Sequence, residues 1–194
     1  VSDTRWRDAL AEHEVEVRAF RDALARVPAE RWHAPPMPGK WSAAELVLHV
    51  TRSYEMGAAA MEGGPGMRLR VPRPVAWFAR TVLLPRMLDA RRFPRGAESP
   101  GEVVPGRDEA GRTTPASADA RLAVAARDAC ASLRRAATAP RPPRFTHAYF
   151  GALPPLAVVR LLSAHTRHHA GQLARIAAGT PVRVTTAAPT VSRR

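Results

Sequence analysis

The sequence predicts an all-α protein: a four-helix bundle with one long connection between its second and third helices. Two observations carry this. Four stretches repeat apolar residues at steps of three and four, the period of a helix with one buried face. Between the second and third stretches, residues 63–117 are rich in proline, glycine and arginine. At 194 residues, 45% of them hydrophobic, the chain is long enough to bury one sizeable core. The expected organisation is one domain over 1–179, with 63–117 as an inserted connection or lid and 180–194 as a C-terminal tail.

The first helix carries Trp6, Leu10, His13, Val17, Phe20, Leu24 and Val27 on one stripe. Ser2 or Asp3 can cap its start, and Pro28 closes it. The prolines and glycine of "PPMPGKW" make a loop. In "SAAE", Ser42 at N-cap and Glu45 at N3 form a capping box. It opens a second helix over about 43–61 whose inward stripe reads Leu46, His49 or Val50, Ser53, Met56 and Ala60. "EGGPG" terminates it. Within the connection, "PVAWFARTVLLPRMLDA" reads as a short amphipathic helix that Pro85 kinks or breaks. Trp77, Phe78, Leu83 and Leu84 are too apolar to leave in water together, so residues 74–89 are expected to cover part of the core or the site, the alternatives being a dimer contact or a membrane-surface helix.

The third helix is "ASADARLAVAARDACASLRRAAT", with Leu122, Ala126, Ala129, Leu133 and Ala136 as its stripe. Ala125, Ala126, Ala129 and Ala136 permit close approach of another helix, including one from a second copy of the chain. "THAYFGALPP" is turn-rich, and Pro154 and Pro155 suit a helix start. The fourth helix runs from about 155 to 178 and Gly179 ends it. Its apolar face passes through Val158, Leu161, Leu162, His165, His169, Leu173 and Ile176.

Net charge is +13, but Lys40 is the only lysine. Such an arginine skew fits a GC-rich genome as well as a polyanion partner, so charge alone does not argue for nucleic acid. Cys130 is the only cysteine, which excludes an intramolecular disulfide. The opening residues lack an apolar signal core, and no window is long and apolar enough to span a bilayer. The expected compartment is therefore the cytoplasm. No phosphate-binding glycine loop, serine elbow or catalytic triad is visible.

The chemistry lies in "AHTRHHAGQL", which holds His165, His168 and His169 among the chain's seven histidines. His165 and His169 are one helical turn apart on the core stripe, so both rings can reach one ion. Two buried imidazoles are costly unless satisfied, either by backbone and carboxylate partners or by a metal. His49, near the core stripe of its own helix, completes a three-nitrogen set of the kind found in catalytic zinc sites. Gln172, at i+7 from His165, can orient a ligand or a water. His168 is read as site rim, His147 as an outer neighbour, His13 as a core-edge histidine and His33 as a loop residue. Glu45, one turn before His49, is the nearest carboxylate in sequence.

"WSAAELVLHV", "RRFPRGAESPGEVVPG" and "THAYFGALPPLAVVRLLSAHTRHHAGQLARI" resemble the DinB/YfiT-like superfamily of bacterial four-helix proteins. The resemblance covers most of residues 5–178. Its specific parts are W-x-x-x-E-x-x-x-H, here Trp41, Glu45 and His49, and H-x-x-x-H-x-x-Q, here His165, His169 and Gln172. It implies an up-up-down-down bundle, often a homodimer, with one divalent ion on His49, His165 and His169. It also implies metal-dependent hydrolysis or S-transfer with a low-molecular-weight thiol. The chain departs from the pattern at Ala148, where many relatives have proline, and at Pro154 and Pro155, where a polar cap is usual.

Together these readings predict a metal-dependent enzyme acting on a small-molecule substrate. It would be either a hydrolase using metal-bound water or an S-transferase using a metal-bound thiol, with zinc or nickel as the ion. The alternative is a non-catalytic module that binds nucleic acid or an anionic surface through its arginine-rich connection.

Overall fold

The structure, a computed structural model, describes residues 3–89 and 98–179. Ser2 as a cap, the 180–194 tail and the start of "RRFPRGAESPGEVVPG" lie outside the described residues. Four long helices form the bundle: α1 (Asp3–Ala25), α3 (Ala43–Met61), α7 (Pro115–Ala137) and α8 (Pro155–Ala178). The short α2 (Ala29–Trp32) lies between α1 and α3. The connection contains α4 (Arg73–Phe78), a π-helical stretch (Ala79–Leu83), α5 (Leu84–Asp89), a 3-10 turn (Gly101–Val103) and α6 (Arg107–Arg112).

Two of the main helices start, and a third stops, by clear chemistry. At α3 the Ser42 side chain accepts from the Glu45 N–H while the Ser42 N–H donates to Glu45 Oε2 at 2.8 Å. At α7 Thr114 and Ser117 make the same reciprocal pair ahead of Pro115 at N1. α8 ends at Gly179, whose φ of 68° is a conformation that side-chain-bearing residues rarely adopt. Arg31 Nη1 donates to the Ile176 and Ala177 carbonyls exposed there.

α1 packs chiefly on α8, and α3 on α7. Side-chain pairs give the directions. His13 meets Cys130 and Arg21 meets Asp119, so α1 and α7 are antiparallel. Arg121 donates to Glu55 and Ser132 to Glu62, so α3 and α7 are parallel. His49 meets His165 while Gly57 lies against Val158 and Leu162, so α3 and α8 are antiparallel. The order is up-down-down-up, which corrects the up-up-down-down order implied by the resemblance. Parallel neighbours need a crossover that returns the length of the bundle. The segment from 62 to 114 is that crossover.

The crossover also explains why α3 is buried on more than one stripe. Val47, Leu48, Thr51 and Tyr54 are buried along with Leu46, His49 and Val50. α7 and α8 cover part of this surface, and α6 with the 3-10 turn covers more. The alanines of α7 are spent in the same core. Ala125, Ala126, Ala129 and Ala136 are all buried within the chain, so they do not offer a face to a second copy. Their small side chains instead let α3 and α7 approach closely.

Pro85 does not break its helix. α4, the π stretch and α5 follow one another without interruption, and the Leu84 N–H donates to the Ala79 carbonyl, a π-type i to i−5 bond. The buried face is Ala76, Ala79, Leu84 and Met87. Five residues separate Ala79 from Leu84, a step that would swing Leu84 off the face in a regular α-helix. The wider turn restores the register. Leu84 is covered as expected, but Trp77, Phe78 and Leu83 are not: they are 58%, 49% and 49% exposed.

The turn-rich stretch before α8 is a small hairpin, β1 (Phe145–His147) and β2 (Gly151–Leu153), antiparallel with Thr146 opposite Ala152. Residues 67–70 run alongside it, Met67 N–H donating to the Thr146 carbonyl and Arg70 N–H to that of Ala148. Gly66 permits this approach, because a Cβ there would stand 2.9 Å from Thr146. Strands this short leave no alternation to read in the sequence. Among the described residues, no helix is long and apolar enough to cross a membrane.

Candidate metal centre

α3 carries His49 about two turns past its cap, and α8 carries His165 and His169 one turn apart. Their antiparallel packing brings the three rings together between the helices. His49 Nε2 and His169 Nε2 each lie 3.0 Å from His165 Nε2. The three ligand atoms fall within 4.8 Å of one another. His49 and His169 are buried and His165 is half-buried.

The tautomers follow from the outer nitrogens. His49 Nδ1–H donates to the Val103 carbonyl at 2.9 Å, which leaves the Nε2 lone pair facing inward. His169 Nδ1–H donates to Gln172 Oε1 at 2.8 Å, with the same result. With the amide placed this way, its nitrogen donates to His168 Nε2 at 3.1 Å. Two inward lone pairs therefore meet the third Nε2, and one imidazole N–H cannot satisfy both along straight bonds. Such a cluster is electron-rich at its centre.

Burial keeps the rings neutral. It pushes His49 down to about 4 and His169 to about 3. His165 lies well below the usual histidine value, first through burial and then through its histidine neighbours, His147 contributing least. Neutral imidazoles are what a metal requires of its ligands. Tetrahedral nitrogens about 2.0–2.1 Å from zinc stand roughly 3.3 Å apart. The two 3.0 Å separations need only a small outward adjustment to match. By donor type, tautomer and spacing, the residues fit one divalent ion.

The surroundings hold this geometry. The Trp41 ring lies 4.6 Å from that of His49 and covers it. Arg52, almost one turn after His49, donates through Nη1 to the Val104 carbonyl at 2.5 Å and pairs with Glu109. It thereby ties the 3-10 turn, and with it Val103, to α3. Sequence reasoning did not find Val103 or Arg52. A backbone carbonyl carries no residue signature, and Arg52 was one arginine among many.

The other residues singled out lie as follows. Glu45 is engaged in the cap, Ser42 N–H and Oγ–H both donating to its Oε2. His168 lies beside His169, ring centroids 5.0 Å apart, and joins the site through Gln172. His147 stacks on Phe150 at 4.8 Å and accepts the Tyr149 N–H at Nδ1. Burial lowers its pKa to about 4. His33 is exposed. His13 stands apart in a buried polar chain: Cys130 Sγ lies 3.3 Å from His13 Nδ1, His13 Nε2 is 2.9 Å from the Tyr54 hydroxyl, and that hydroxyl is 2.7 Å from Thr166 Oγ1. Cys130 is held as a neutral thiol, burial pushing its pKa up to about 12.

Comparison with known proteins gives one match. A family model described as the DinB superfamily matches residues 12–173. No curated protein and no solved structure matches the chain significantly.

Proposed function

This chain belongs to the DinB superfamily, and from that membership and its three converging imidazoles we propose that it is a metal-dependent enzyme acting on a small molecule. The observation that carries the reading is the pair of inward Nε2 lone pairs on His49 and His169, set by Val103 and Gln172. His49, His165 and His169 would hold one divalent ion, and zinc or nickel suits an all-imidazole set. A bound ion would supply Lewis acidity, which lowers the pKa of a water for hydrolysis or of a low-molecular-weight thiol for transfer.

The chain's own residues bind and orient. Three protein ligands leave room for a further one, as catalytic rather than structural sites do. Trp41 and the helices around His49 keep water from the ligand rings. His147, its Nδ1 occupied by the Tyr149 N–H, keeps its proton on Nε2 as a donor. Glu45 holds the cap through Ser42. A homodimer belongs to the same proposal on the family's pattern, through a face other than the α7 alanines.

Metal analysis of protein purified without a histidine tag tests the reading. About one divalent ion per chain is expected, retained in His33→Ala and lost in His165→Ala and in His169→Ala. Full occupancy in both site variants would overturn the ligand assignment.

A further inference from the structure

The continuous rod from Arg73 to Asp89 buries one face and leaves an unusual one outside. Its buried side is Ala76, Ala79, Leu84 and Met87. Outside are Val75, Trp77, Phe78 and Leu83, each about half exposed. The same π turn that aligns Ala79 with Leu84 also brings Leu83 into line with Phe78. Val75, three residues before Phe78, extends the stripe and Trp77 flanks it. The rod is about 25 Å long, and its apolar edge, from Val75 to Leu83, spans about 12 Å of it. Arg73 and Arg86 are exposed toward its two ends. Arg80 is held inward, donating to the Ala152 carbonyl at 3.0 Å.

We propose that the outward face of this rod is an interfacial helix that docks on a membrane surface carrying anionic lipid. Large aromatics beside aliphatic side chains, with arginines at the ends, suit the boundary between headgroups and acyl chains. The apolar side chains enter the boundary while the guanidinium groups reach back to phosphates. Charge selects this occupant over the others. A second copy docked face to face would bring Arg73 and Arg86 against their own counterparts on a chain of net charge +13. The tail over 180–194 carries Arg183, Arg193 and Arg194 and no acidic residue, so it too is of like charge. An anionic bilayer complements both the apolar stripe and its rim. The proposal stands on the connection and is independent of the metal reading.

Co-flotation of the full chain with vesicles tests it, comparing phosphatidylcholine alone with a phosphatidylcholine–phosphatidylglycerol mixture. The mixed vesicles should carry the protein, less so as salt rises, and pure phosphatidylcholine should not. Trp77 is the most exposed tryptophan, Trp6 and Trp32 being buried and Trp41 half-buried, so the emission should shift to the blue on binding. Trp77→Phe should float normally but lose most of that shift. Trp77→Ser with Phe78→Ser should float roughly tenfold less or worse while keeping its thermal melt, because both side chains are already exposed. Chelation should change none of this. Failure to float with the mixed vesicles would overturn the proposal. So would a serine double variant that floats like the parent, since arginines alone would then explain the binding. A double variant that converts a dimer to a monomer would assign the face to a second copy. Loss of binding on removing residues 180–194, or salt-sensitive capture by duplex DNA through the same two aromatics, would also overturn it.

Discussion

His169 and Gln172 sit three residues apart on α8, and the 2.8 Å bond from His169 Nδ1–H to Gln172 Oε1 decides which nitrogen of the ring faces His49 and His165. Removing the acceptor frees the ring to change tautomer or rotate. Gln172→Leu should therefore weaken metal affinity by about 10- to 100-fold while leaving the fold intact. Competition with a chromophoric chelator reads the affinity, and circular dichroism reads the fold. An unchanged affinity would show that packing alone sets the ring.

Arg52 acts on the opposite ligand from further away. It secures the Val104 carbonyl and Glu109, and so the turn whose Val103 carbonyl accepts from His49. Arg52→Met keeps much of the stem but loses the bonds. Metal affinity should fall several-fold, by less than for Gln172→Leu because Val103 itself remains. Arg52→Lys should restore only part, since one ammonium cannot bridge both partners as a guanidinium does. Isothermal titration with zinc distinguishes the three proteins.

Acid should unfold the metal-free protein early. The buried His13 ring has its pKa lowered to about 4 by burial, and His49 likewise. Such a ring is neutral in the folded chain but takes a proton in the unfolded chain below about 6.5. Its contribution is complete above 6.5 and disappears as the pH falls toward 4. Each histidine is worth on the order of 3 kcal/mol across that window. Urea unfolding in a chelator at pH 7.5, 5.5 and 4.5 should show a steep decline, and a flat profile would contradict the burial of these rings.

Ala129 is fully buried on α7, where it allows the close approach of α3. Ala129→Leu should overpack that contact and cost about 1–3 kcal/mol, visible as a lower melting temperature. Val124→Leu, on the exposed side of the same helix, should be neutral within about 0.5 kcal/mol.

The sequence made some of this legible and hid the rest for identifiable reasons. Trp6 through Leu24 showed their helix because it buries a single stripe, and Val158 through Ile176 because apolar residues recur there at helical steps, although the first half of α8 is buried on more than one side. Ser42 and Glu45 marked a helix start by the two groups that make the cap. His165 and His169 were recognisable as a pair because one turn of helix sets their distance. Helix direction was hidden, since a stripe of apolar residues reads the same in either sense. The α4–α5 rod was misjudged because the five-residue step from Ala79 to Leu84 has no place in a regular period. Trp77 and Phe78 were expected to be covered because apolarity was read as burial within the chain. The structure leaves them facing outward.

The spacing of the three ligands also sets an order of assembly. His165 and His169 come together as soon as α8 forms, whereas His49 is 116 residues from His165 and must be brought home by the whole topology. Closing so long a loop has a substantial entropic cost. A chain emerging from the ribosome would expose His49 and Val103 long before α8 exists. The complete site therefore cannot form until nearly the entire bundle has been synthesised. An ion captured at that stage would act as a late clasp, joining the second helix to the last and slowing their separation once the bundle has closed.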